Sequence, residues 1–237
     1  MLYHLATVTL APVLVAQGTY VRKVTPRLPE PEGARAGVWG SGPALRLLIL
    51  GDSAAAGVGV DSQAQALSGR VVAALGEFHR VHWKLLAETG HDSTDVVKRL
   101  DDAQAEVFDV AVLSVGVNDV TGRTPVRRWL TNLAAITRLL AEKFQVRRIL
   151  FSSVPPMHHF PALPQPLRWW LGRRAVTLNS HARSISARHA RWEFVDVAFP
   201  LESGYMASDG FHPGEPAYAL WGQHLAGLIR DDAARLL

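Results

Sequence analysis

The sequence predicts an α/β domain in which a parallel sheet lies between two layers of helices, and three observations carry that expectation. Five near-continuous apolar runs recur along the chain, at residues 45–50, 81–87, 110–115, 148–154 and 193–197. Between and after them lie helical patterns at 63–78, 94–105, 126–143, 167–190 and 216–230. Runs without polar alternation are buried on both faces, and regular alternation with helices gives parallel neighbours joined by crossovers.

Composition narrows the function classes. The chain has 237 residues, 48% hydrophobic and 19% charged, which supplies a large core and excludes disorder. No linker interrupts it, so residues 43–237 read as one domain and 1–42 as an apolar segment with an extended connector. The formal charge of +4 is spread along the chain rather than gathered in a stripe, which argues against nucleic acid as a partner. With no cysteine there is no thiolate nucleophile, disulfide or cysteine-held metal.

The N-terminal run at 5–16 is too short to span a bilayer, and its basic residues, Arg22 and Lys23, follow it rather than precede it as in a secretory signal. A cytoplasmic location is therefore favoured. Residues 1–20 are expected to pack on the domain or on a second copy, or to lie on a membrane surface, since short apolar segments with basic flanks settle at interfaces.

The first strand ends in "GDSAAAGVGV". A phosphate-binding loop would need a lysine after Gly57, and the dinucleotide fingerprint would need a glycine where Ser62 stands. Ser53, two residues past the strand, fits a nucleophile better, provided that other loops supply a base, an orienting carboxylate and oxyanion donors. The second strand leads to Gly90, whose missing side chain lets a backbone N–H approach a ligand, and the third to Asn118, whose amide can donate to an oxyanion. Asp52 and Asp119 flank these groups and are expected to bond backbone and hold the loops.

The fourth strand runs into residues 155–170, "PPMHHFPALPQPLRWW", an irregular loop at the sheet edge where ligands of open α/β sheets bind. Phe160, Trp169 and Trp170 either line an acyl pocket or pack a helix, and His158 and His159 are expected to diverge with no acidic partner to complete a metal site. After the fifth strand, Asp209 and His212 stand three apart on one loop, close enough for a carboxylate to orient an imidazole whose other nitrogen faces Ser53.

The four blocks "GDS", "TGHDST", "GVND" and "DGFHP" resemble, in this order, those of the SGNH (GDSL) hydrolases. The resemblance implies a flavodoxin-like three-layer sandwich. It makes Ser53 the nucleophile, His212 the general base and acid, Asp209 the orienting carboxylate, and the amides of Ser53 and Gly90 with the Asn118 side chain the oxyanion hole. Ala54 replaces the eponymous leucine, and "GHDST" departs from the commoner "GDT" around Gly90. No cofactor or metal is implied. The expected substrate is a small-molecule or lipid ester of short to medium acyl chain; carbohydrate deacetylase, thioesterase, acyltransferase and non-catalytic binding readings stay open beside it.

Overall fold

The computed structural model describes residues 2–197 and 199–233; position 1, position 198 and the expected domain end at 234–237 lie outside the described residues. Six strands form one sheet: β1 (Ala36–Trp39), β2 (Ala44–Gly51), β3 (Arg80–Ala87), β4 (Val110–Ser114), β5 (Arg148–Ser152) and β6 (Trp192–Val195). Their order is β1-β3-β2-β4-β5-β6, parallel throughout except for β1, which runs antiparallel to β3.

The β1 strand corrects the expected extended connector. Its four residues are all exposed, and the short "AGVW" stretch between glycine-rich turns carries none of the buried patterning that marks the other five. An antiparallel strand on a parallel sheet's edge needs only one paired side.

Eight helices are described: α1 (Leu2–Val24), α2 (Ser53–Ala56), α3 (Leu67–Gly76), α4 (Ser93–Asp102), α5 (Val117–Thr121), α6 (Val126–Glu142), α7 (Leu167–Ser186) and α8 (Glu215–Ala233). The alternation of side chains along the strands sorts them into two layers. Leu48, Leu50, Ala111, Leu113, Ile149 and Phe151 face a core closed by α1, α4, α6 and α7. Leu47, Ile49, Val110, Val112 and Leu150 face the other core, closed by α3 and α8. Strands buried on both faces therefore read as unbroken apolar runs.

The α3 helix starts four residues later than expected. Gln63 is buried and bonds instead of continuing a helix: its amide donates to the Ala56 carbonyl (2.9 Å) and its carbonyl accepts from the Ser68 hydroxyl (2.8 Å). In the 155–170 segment a single 3-10 turn, Met157–His159, precedes α7. His158 and His159 do not diverge as expected, since their ring centres lie 4.2 Å apart.

Registry sets the site. Ala87, Gly51, Ser114, Ser152 and Val195 stand side by side across the sheet, so all five parallel strands end level. From β2 the chain passes to β3 on one flank and then to β4 on the other, and the reversal opens a crevice above β2 at the carboxyl ends.

Candidate active site

The loop leaving β2 places Ser53 in that crevice. Asp52 continues the strand pairing, its N–H donating to Ser114 O (3.0 Å), and then caps α2 by accepting from the Ala54 N–H (3.1 Å). Ser53 is the first residue of α2, and its own N–H makes no hydrogen bond among the described residues. From α8, the buried Tyr218 hydroxyl bonds the carbonyls of Val58 (2.8 Å) and Ala54 (3.1 Å), bracing the turn from the opposite side.

The loop between β6 and α8 brings the partners. Asp209 folds this loop around itself: Oδ1 accepts from the N–H groups of Phe211 (2.9 Å) and His212 (3.0 Å). Its Oδ2 lies 2.5 Å from His212 Nδ1, and His212 Nε2 lies 2.9 Å from Ser53 Oγ. A carboxylate only accepts, so Nδ1 carries the proton and Nε2 is left to accept from the serine hydroxyl. The two loops interlock at Gly59 (φ +110°), where the backbone lies against the Pro213 carbonyl.

Burial sets the charges apart. Asp209 is fully buried at its side chain, which opposes ionisation, but the His212 ring and two backbone N–H groups prevail and hold its carboxyl below the ordinary range. Asp52 has no comparable set of donors, so burial pushes it up to about 7 despite the Ala54 N–H. Of the two aspartates beside the serine and histidine, Asp209 stays an anion and Asp52 titrates near neutrality.

The ends of β3 and β4 meet on the far flank of Ser53. Gly90 holds a left-handed φ of +88° with nothing within 4 Å of where a β-carbon would stand, so glycine is required there by backbone conformation rather than by close approach. Its N–H makes no hydrogen bond among the described residues. One N–H of the Asn118 amide donates to His91 O (2.8 Å), tying the two loops and leaving the second N–H for a ligand. Asp119 completes the tie: it accepts from the Ser93 N–H (2.9 Å) and hydroxyl (2.6 Å), while Asn132 donates to that hydroxyl (2.8 Å). Burial raises the Asp119 carboxyl even so. Tyr218, Ser93 and Asn132 escaped the sequence reading, because nothing local to them announces contacts made across the fold.

Beside Ser53 and His212 opens a recess walled by Phe160, Phe199, Leu201, Met206, Phe211 and Trp221; Gly90 and Asn118 do not line it. Phe160 meets Phe211 edge to face, with ring centres 5.1 Å apart. Trp170 packs instead against α1, its indole N–H donating to Thr7 Oγ1 (2.9 Å). Of the aromatics in the 155–170 segment, Phe160 faces the site.

The fold and this arrangement define an ester-hydrolysing enzyme. Residues 49–220 match the model of the GDSL-like Lipase/Acylhydrolase family, and the chain belongs to that family. A GDSL-like esterase of Mycobacterium tuberculosis is 28% identical over 242 residues, covering 92% of this chain and 76% of that protein. Two solved structures share the fold. The aryl esterase of M. smegmatis aligns at a TM-score of 0.58 with 16% identity, over 79% of this chain and 99% of that one. The lipase/acylhydrolase of Enterococcus faecalis aligns at 0.54 with 20% identity, over 79% and 96%.

Proposed function

We infer that the enzyme hydrolyses short- to medium-chain acyl esters through an acyl-enzyme on Ser53. The observation that carries this reading is the unbroken chain from Asp209 through His212 to Ser53, with links of 2.5 and 2.9 Å. His212 Nε2 takes the serine proton as Oγ attacks the ester carbonyl, and Asp209 stabilises the imidazolium that forms. The unbonded N–H groups of Ser53 and Gly90 and the second N–H of Asn118 are the donors for the oxyanion. His212 then protonates the departing alcohol, water enters, and the same steps release the acid.

The recess supports an acyl group as the moiety held beside the nucleophile, since aromatic and aliphatic side chains make most of its wall. The test is turnover of p-nitrophenyl esters from acetate to palmitate by wild type and Ser53→Ala. Activity should peak at one chain length and vanish in the variant. Asn118→Ala should retain measurable activity with kcat lowered by about 10²–10³. Equal activity of Ser53→Ala and wild type would overturn the reading.

A further inference from the structure

We propose that the outer face of α1 docks on the surface of an anionic lipid bilayer. One side of this helix is held by α7 and the segment before it: Gln17 donates to Gln165 O (2.7 Å) and accepts from the Leu167 N–H (3.0 Å), and Leu14 and Val21 are buried. On the opposite side the described residues are exposed. At helical spacing Val8, Pro12, Val15 and Thr19 follow one line along it and lead to Arg22 and Lys23 in the last turn. Val8 is 73% exposed and Val15 59%, with Tyr20 at 63% on the flank.

An apolar stripe that ends in cations fits a headgroup layer, where side chains reach the acyl boundary and basic residues meet phosphates. Neither α1 nor the adjoining α7 contains an aspartate or glutamate. A lipid phosphate therefore meets no like charge from either helix itself; Asp196, paired with Arg183, stands at the last turn of α7. A second copy of the same face would bring Arg22 and Lys23 against a surface with no carboxylate to receive them, which disfavours self-association there. No described helix is long and apolar enough to cross a membrane, so the helix lies on the surface.

The packed side of the helix is tied to a segment that adjoins the site. Gln165 and Leu167, bonded to Gln17, follow directly on the loop whose Phe160 walls the recess beside Ser53. The proposal does not depend on the acyl-enzyme reading, because binding and turnover are measured separately.

The test is flotation of the full chain with vesicles of phosphatidylcholine alone and of phosphatidylcholine with phosphatidylglycerol. Three proteins are compared: wild type, Arg22→Gln with Lys23→Gln, and Val8→Glu with Val15→Glu. The wild type should float with the anionic vesicles, less so at high salt. Each cation removed should weaken binding about fivefold, and the valine substitutions should abolish it. All three should hydrolyse soluble p-nitrophenyl acetate equally, which shows that the exposed substitutions leave the fold intact. No flotation of wild type, or undiminished flotation of both variants, would overturn the proposal. So would a wild-type dimer that the valine substitutions turn into monomer, since a second copy would then cover the face.

Discussion

Gly59 and Pro213 are pressed together: a β-carbon on Gly59 would stand 2.3 Å from the Pro213 carbonyl oxygen and 3.0 Å from Ala207 Cβ. This contact joins the turn that carries Ser53 to the loop that carries His212, and it explains the second glycine in "GVGV", a stretch that also invites reading as a phosphate cradle. Gly59 serves packing between two loops of the site, while Gly57 (φ +96°) ends α2 against Pro31 and Ala66.

Gly59→Ala should therefore separate the serine from the histidine. A positive φ of 110° and a collision with backbone both oppose the methyl, so stability should fall by about 2 kcal/mol or more. Activity should fall by about 10² in kcat, because a shift of about 1 Å at reacting groups is costly. Gly204→Ala, where nothing stands within 4 Å, is the control and should stay within about 0.5 kcal/mol of wild type. Denaturant unfolding beside steady-state kinetics reads both quantities.

What was legible in the sequence follows from how local its cause is. The central strands β2, β4 and β5 are buried on both faces over most of their length, and burial of that kind writes itself as an apolar run. Ser53, Gly90 and Asn118 each sit in a short motif just past a strand, and Asp209 and His212 sit in one motif of the longer connection from β6 to α8, so the topology delivers all five to one edge. The exposed β1 has no such signature. Nor does Tyr218, a residue of α8 whose bonds to Ala54 and Val58 exist only once two distant segments meet. Gln63 sits in an apparent helix start, and its buried amide is needed elsewhere.

Asp209 links activity to acid stability. Asp209→Asn keeps the shape but loses the anion that fixes the His212 tautomer, and kcat should fall by about 10³–10⁴. Because its folded carboxyl lies below the ordinary value of 3.8, the wild-type group stabilises the fold at pH above that value and loses the contribution as pH falls through its lowered pKa. Acid unfolding of Asp209→Asn should accordingly be shallower over that range than wild type. Equal slopes in the two titrations would show that the hydrogen bonds to His212 and the loop backbone do not favour the ionised form.

Asp52 should show the opposite sign. Its folded pKa is raised from 3.8 to about 7 by burial, so the folded state binds the proton more tightly than the unfolded chain. The group costs nothing below its unfolded pKa, and its penalty grows as pH rises, levelling off above about 7. Asparagine caps a helix about as well as aspartate and carries no charge to bury, so Asp52→Asn preserves the bond to the Ala54 N–H and removes the titration. The stability of the variant relative to wild type should therefore climb between about pH 4 and about pH 7 by a few kcal/mol and stay flat beyond, each pKa unit being worth about 1.4 kcal/mol. Denaturant unfolding of both proteins across that range measures the difference. A difference that does not change with pH would mean that Asp52 ionises in the folded protein as readily as in the unfolded chain, with the Ala54 N–H and the nearby His212 offsetting its burial in full.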